Sequence, residues 1–474
     1  MKRIHLLFGL LASILSLQAT NYSDFYKNLP VALQQPATVH IPDNTVRLTD
    51  FGAIGDGITL ATDAFRQAFD KLEQMGGGRL IVPEGVWLTG PISMRSNTEL
   101  HLDDNAIIMM SPDKRLFVNP KKPNSRCLSG ITAENCENIA ITGHGTIDGN
   151  NKGWGYAKKG KMSDEEWKIL KESGGYITDD GKLWYAWKMA NGLPDIAPTP
   201  QKQEKMRADL IRIYNCKRVL LKDITVQNSP RFHVHPYYCE DMIIDGIKVR
   251  CPWNRQNGDG IDLTDCHRVL LVNSSVDVGD DGICLKSDPP KLGLISGNED
   301  FLIERCKVNH AHGGVVMGSN TSSGMRRIVA RHCTFTRTDT GLRMKSGIGR
   351  GGRTEQVYFS DIMMADIAHE AVVVHCDYAD MAPGDTKSNF LAPGYVESFT
   401  KEQRQWTPEF QDITISNIVC RGAKTAIKAS GLMGLNCVHD IRLNNCTFVY
   451  THTATDIHEP TAKLTLKDVT LTKE

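Results

Sequence analysis

The chain has 474 residues, and 55 Lys and Arg balance 55 Asp and Glu, so its formal net charge is zero. That balance excludes a protein built around a broad basic face, and no nucleic-acid partner is expected. With 41% hydrophobic and 23% charged residues, the composition is globular, not disordered or fibrous, and 41 glycines point to many turns.

Lys2 and Arg3 precede an apolar run from Ile4 to Leu17, and Ala19 offers a small residue for cleavage. The run is short for a bilayer span and reads as a secretory signal over residues 1–19. No later apolar stretch approaches transmembrane length, so an exported protein, periplasmic or extracellular, with no membrane partner is expected. Residues 20–45 read as an N-terminal extension, followed by a catalytic unit over residues 46–474. A helix is predicted after it, with Thr62 or Asp63 as cap and Ala64, Phe65, Ala68, Phe69 and Leu72 as its apolar face. Gly76, Gly77 and Gly78 end it. Such a helix suits the plug of a solenoid's open end.

An eight-residue pattern then recurs, apolar at its first and third positions, often Asp or Asn at the fifth, then Ile or Cys. It begins at Val219, Met242, Val269, Phe301, Ile328, Val357, Ile413, Ile441 and Leu464, with a weaker copy at Ile139. The intervals from Val219 are 23, 27, 32, 27, 29, 56, 28 and 23 residues; the 56 is either one insertion or two coils with one poorly marked. Alternating strands at this period, without helical patterns between them, exclude an α/β barrel. The leucine and asparagine spacing of leucine-rich repeats is absent. The prediction is an all-β right-handed parallel β-helix, each coil stacking on the next around one core, and a monomer.

Two stretches break the repeat, near residues 150–206 and 380–406, and become loops on one face. The first is rich in Lys, Gly, Trp and Tyr and includes a short helix from Asp164. Its aromatics, Trp154, Tyr156, Trp167, Trp184, Tyr185 and Trp187, suit either sugar stacking or packing of the loop itself. Thirteen cysteines are too sparse and too often within apolar strands for a disulfide framework, and no paired Cys-x-x-Cys suggests zinc. No metal or other cofactor is expected.

Chemistry-bearing residues fall on consecutive coils. NGDGID (residues 257–262), GDDGICLK (279–286), HGGVVMGS (312–319) and RMK (343–345) follow one another along the repeat. An isolated Asp-Asp or Gly-Asp-Gly means little, since each recurs elsewhere in the chain; their place in the repeat is the signal. Strands stack about 4.8 Å apart. Asp259 and Asp280, 21 residues apart, are therefore expected side by side, with His312 one coil on and Arg343 and Lys345 another. Crowded carboxyls titrate apart, which supplies one general acid and one general base, the pair that glycoside hydrolysis needs. The neighbouring cations suggest a substrate that itself carries carboxylates.

These four motifs in this order resemble glycoside hydrolase family 28, the polygalacturonases. DFGAIGDG (residues 50–57), VPEG (82–85), GPI (90–92) and NSPRFHVHP (228–236) add to the resemblance, which covers roughly residues 46–470. It implies hydrolysis of α-1,4-linked galacturonic acid in a pectic polysaccharide or oligogalacturonide, with inversion and without a metal. Carried over, Asp280 resembles the family's general acid, and Asp259 and Asp281 the pair that activates water. His312 resembles the histidine that holds the acid protonated and oriented. Arg343 and Lys345 resemble the galacturonate carboxylate site, and Tyr378 a tyrosine beside the bound sugar. Asn257 stands in the first motif, and Lys286 and Arg255 are candidates for the cleft wall. Asp288 departs from the Gly of many bacterial relatives, and AHGGVV resembles the bacterial branch.

The two insertions favour exo action, by walling off one end of the groove. Rhamnogalacturonan-type oligosaccharides, a β-helix polysaccharide lyase and a non-catalytic β-helix adhesin are the alternatives. A lyase would want a calcium-binding acidic cluster and a cationic base; an adhesin would scatter the column of acids.

Overall fold

Each octet lies directly on the next in parallel register. Val219 pairs with Met242, Met242 with Val269, Val269 with Phe301, Phe301 with Ile328 and Ile328 with Val357. These registers belong to a computed structural model that describes residues 21–151, 153–187, 193, 195–378 and 394–474. The expected signal segment and residues 380–393 of the second expected insertion lie outside the described residues. Every coil contributes three short strands, which stack as three parallel ladders of one 33-stranded sheet among the described residues. Crossovers between parallel strands of this kind are right-handed, and the fold is the right-handed parallel β-helix that the octets predict.

The octet follows from this geometry. First and third positions such as Val219, Leu221, Met242 and Ile244 point into the bore and join a core running from Leu48 to Ala462. The fifth position is the corner between two ladders. Asp223, Asn273, Asp361, Asn417, Asn445 and Asp468 all sit there with φ between 52° and 65°. Asn and Asp enter that left-handed region more easily than other side chains, which is why they recur there. Cysteines at the sixth position (Cys306, Cys333, Cys446) are buried, and all thirteen cysteines are unbridged.

The 56-residue interval is resolved as one coil carrying an insertion, because Val357 pairs directly with Ile413. The first insertion is likewise hung on one coil, since Ile139 pairs with Val219. It folds as a three-stranded antiparallel sheet of Tyr156–Lys158, Tyr176–Ile177 and Leu183–Tyr185. Beside it lies a helix, Asp164–Glu172, closed by a Ser163–Glu166 capping box. Trp167 and Trp184 pack with Ala186 into its own small core.

The helix α1 (Thr62–Gln74) buries the five apolar residues expected of it against the first coils. Its start differs from expectation. Thr62 is the first helical residue, and its hydroxyl accepts from the Gly90 amide at 2.6 Å, tying the helix to a neighbouring turn instead of capping it. At its other end Gly78 has φ of +143°, and a Cβ there would lie 2.4 Å from the Asn44 carbonyl oxygen.

Octet second positions point outward, yet Leu220, Ile243, Leu270, Leu302 and Val329 are apolar. Residues 21–40 explain them. This segment runs across the outer face, where Tyr22, Phe25, Tyr26, Leu29, Val31 and Leu33 pack on Ile243, Leu270, Val272, Leu302 and Val329. Arg331 ties it down at the Phe25 carbonyl (2.9 Å), and Tyr22 donates to Asp245 (3.0 Å). Later second positions, Thr414, Arg442 and Thr465, are polar. Deleting residues 21–40 is expected to cost on the order of 5 kcal/mol by re-exposing this face. Calorimetry of the truncated protein should show a lower Tm and earlier aggregation.

Candidate active site

The cleft lies on the ladder made of the strands Ile211–Tyr214, Val234–Tyr237, Ile261–Thr264, Asp281–Ser287, Gly313–Thr321, Leu342–Lys345 and Glu370–His375. Strand alternation sends Ile261, Leu263, Ile283 and Leu285 into the bore and Asp262, Cys284 and Lys286 outward. Each of four successive coils enters its strand through a glycine: Gly260, Gly282, Gly314 and Gly341. The reason is close approach. A Cβ on Gly314 would lie 2.4 Å from the Phe335 ring, and one on Gly260 2.4 Å from Val276 Cγ1. The Asp-Gly pairs of the motifs thus place a carboxylate on the last residues before a corner that admits no side chain.

Register corrects one expectation. Ile261 pairs with Ile283, an offset that sets Asp259 against Asp281 and leaves Asp280 on the turn before the strand. Asp281 pairs with Gly313, so His312 falls next to Asp280 as predicted, and its Nδ1 lies 2.8 Å from Asp280 Oδ1. The amide of Asn257 donates to Asp280 Oδ2 (3.0 Å) and that of Asp281 to Asp280 Oδ1 (3.0 Å). The Asn257 side chain turns away from the acid and accepts from Arg207 at 2.9 Å.

The three carboxyls differ in access. Asp280 keeps 15% of its side chain exposed, against 5% for Asp259 and 4% for Asp281. Asp281 accepts from the Lys345 ammonium at 2.7 Å. Burial works to raise its pKa, but the charges of Lys345, Lys286 and Arg343 outweigh it and hold Asp281 well below the usual carboxylate range. Asp259 is the opposite case. Lys286 reaches its Oδ2 only at 3.4 Å and is held more closely by Asp262, while Asp259 Oδ1 has no hydrogen-bond partner among the described residues. Burial and the nearby Asp280 and Asp262 therefore push Asp259 well above its ordinary value. For Asp280, burial again acts upward, and the His312 hydrogen bond and charge prevail, leaving it below the ordinary value.

The cations sit further along the cleft. Arg343 projects from the column that also contains Asp262 and Cys284 and makes no side-chain hydrogen bond or ion pair among the described residues. The Lys345 ammonium lies 5.3 Å from the centre of the Tyr378 ring, and the Tyr378 amide donates to the Ser346 carbonyl (3.0 Å). All nine residues predicted from the motifs, Asn257, Asp259, Asp280, Asp281, Lys286, His312, Arg343, Lys345 and Tyr378, line one cleft of about 1030 Å³.

Other residues were not singled out in the sequence. Asp262 is fully buried and paired with Lys286. Lys161, from the first insertion, has its Nζ 2.5 Å from His312 Nε2. Lys428, two coils beyond Arg343 in the same column, also lines the cleft. Only the stacking register could have revealed Lys428, and nothing local marks Lys161. Of the insertion's aromatics, Tyr156 lines the cleft while Trp154, Trp167, Trp184 and Tyr185 are buried within the loop. Arg255 donates to the Trp154 carbonyl (3.3 Å) and so braces the insertion. Asp288 accepts from Tyr237 and from Asn320 at the strand's far end. His233 is buried, which lowers its pKa to about 4, and its Nδ1 contacts the Asp259 carbonyl (2.9 Å). Ligand atoms of Asp280, Asp281 and His312 lie within 4.8 Å of one another, but the Lys345 and Lys161 ammonium groups already balance this cluster.

Two curated proteins align with the chain. An exo-poly-α-D-galacturonosidase of Dickeya chrysanthemi is 27% identical over 425 residues, covering 83% of this chain. A probable polygalacturonase of Vitis vinifera is 29% identical over 338 residues, covering 68%. The matches span 65% and 61% of those relatives' own lengths, less than two thirds. Among solved structures, a hyperthermoactive exopolygalacturonase from Thermotoga maritima superposes with a TM-score of 0.71 at 27% identity, covering 92% of this chain and 94% of that one. The family model of glycosyl hydrolases family 28 matches residues 156–392, half of the chain. That half holds the coils bearing Asp259, Asp280, Asp281, His312 and Arg343, and the chain belongs to glycosyl hydrolases family 28.

Proposed function

We infer that the protein is a glycoside hydrolase that removes galacturonic acid from the ends of α-1,4-linked pectic chains. One observation carries the reading: three carboxyls of unequal protonation stand in one cleft with the cations Arg343 and Lys345 beside them. Asp280, the most accessible of the three, is assigned to protonate the leaving glycosidic oxygen. Asp259 Oδ1 and Asp281 Oδ1 are buried without a protein partner among the described residues, and such oxygens suit a water held for attack. Arg343, with no ion pair of its own among the described residues, suits a substrate carboxylate, with the Lys345 charge adjacent. The likeness to the Dickeya and Thermotoga proteins, both described as exo-acting, supports release from a chain end. So does the first insertion, which brings Tyr156 and Lys158 to the cleft. The apolar run after Lys2 and Arg3 supports export.

The test is product sizing on de-esterified polygalacturonate. Saturated monomer as the first product is expected. A ladder of oligomers would make the enzyme endo-acting, unsaturated products seen by ultraviolet absorbance would make it a lyase, and unchanged polymer would overturn the galacturonate reading.

A further inference from the structure

Lys161 belongs to the inserted segment, on a short turn, Lys159–Lys161, directly after the strand Tyr156–Lys158. Its Nζ lies 2.5 Å from His312 Nε2 and donates to the Gly279 carbonyl at 3.3 Å, on the turn that carries Asp280. An ammonium offers only protons. The His312 Nε2 facing it is therefore an acceptor, and the single ring proton sits on Nδ1, 2.8 Å from Asp280 Oδ1.

One proton shared by Asp280 and His312 has two resting places. It can lie on the carboxyl, beside a neutral ring, or on the ring, beside a carboxylate. Only the first is competent to protonate a leaving oxygen. The second sets an imidazolium against the Lys161 ammonium, and like charges at contact disfavour it. The other groups facing the ring leave this balance in place: Asp339, on the turn before Leu342–Lys345, lies 3.7 Å from Nε2 and keeps 45% of its side chain exposed. Lys158, Asp280, Asp281 and Asp339 are the charges that act on Lys161 itself, whose pKa burial lowers.

We propose that Lys161 is a positioning residue that directs the proton of the Asp280–His312 pair onto the Asp280 carboxyl, making the inserted segment part of the acid machinery. The inference rests on the reading of Asp280 as proton donor. Two variants test it in the full-length protein, Lys161→Met and Lys161→Arg, with two readouts. By nitrogen-15 NMR of the histidine rings, wild-type His312 should carry its proton on Nδ1 only, whereas Lys161→Met should acquire a doubly protonated ring at the same pH. In activity, the basic limb of kcat/KM should move about one pH unit lower in Lys161→Met, a loss of about tenfold along that limb, with recovery in Lys161→Arg. A uniform loss at every pH with an unchanged ring spectrum would reduce Lys161 to a structural brace and overturn the proposal. So would a wild-type ring protonated at Nε2, a result that needs no variant to fold. The expected ring states in a protein inactive on polygalacturonate would overturn the substrate assignment alone.

Discussion

Replacing Asp280 by asparagine is expected to lower kcat about a thousandfold, the range lost when a positioned general acid is removed. The amide has the shape of the carboxyl but no transferable proton. Its oxygen can keep the Asp281 amide and the His312 ring, and its NH2 then faces the Asn257 amide, a mismatch of on the order of 1 kcal/mol. Tm should therefore change little while turnover collapses. Steady-state kinetics beside a thermal melt separate the two effects. A variant retaining more than about a tenth of the wild-type rate would move the acid role to another carboxyl, Asp259 first, because burial holds Asp259 protonated. The wild-type pH profile carries the same assignment. Activity needs Asp280 protonated, so it falls as pH rises through the Asp280 pKa. In the free enzyme that pKa lies below the ordinary value because of His312, and the basic limb of kcat/KM should lie there too. A galacturonate carboxylate bound beside Arg343 brings a further negative charge and raises the pKa, so the limb of kcat should lie at higher pH.

Lys345→Met should impair both folding and turnover. The Lys345–Asp281 pair is 7% and 4% exposed, and removing one partner leaves an uncompensated buried charge, at about 3–5 kcal/mol. The sign of its pH dependence follows from the depressed pKa of Asp281. A depressed carboxyl contributes stability above the unfolded-state pKa near 4 and loses it as pH falls through the folded-state value. The deficit of the variant should accordingly be full near neutral pH and shrink in acid, as urea unfolding at several pH values will record. Pairing Lys345→Met with Asp281→Asn should recover part of the stability, by removing the stranded charge, but no activity. If Lys345→Met unfolds with the wild-type midpoint, the ion pair contributes nothing net.

Much of this protein is written locally. The octet specifies a half-buried strand, then a left-handed corner that Asp, Asn or Gly can make, then another strand, and its recurrence obliges the coils to stack. Order along a solenoid is order in space, so four motifs on consecutive coils predicted one cleft, and their residues line one. The limits were equally physical. A spacing of 21 residues suggested that Asp259 opposes Asp280, whereas the paired strands run at an offset of 22, and one residue of register decides which carboxyl faces which neighbour. The apolar outer positions Ile243, Leu270 and Leu302 broke the alternation without apparent cause, because residues 21–40, which cover them, have no periodicity of their own.

By itself, then, the sequence determined the coil, its corners and the column of charged residues, since all three rest on contacts between residues near in the chain or one repeat apart. Only the tertiary structure decided that Lys161 reaches His312, that Lys286 belongs more to Asp262 than to Asp259, and that the amino-terminal segment lies on the outer sheet. Those placements depend on how an irregular segment packs against a surface assembled from distant coils, and no local window of residues records that packing.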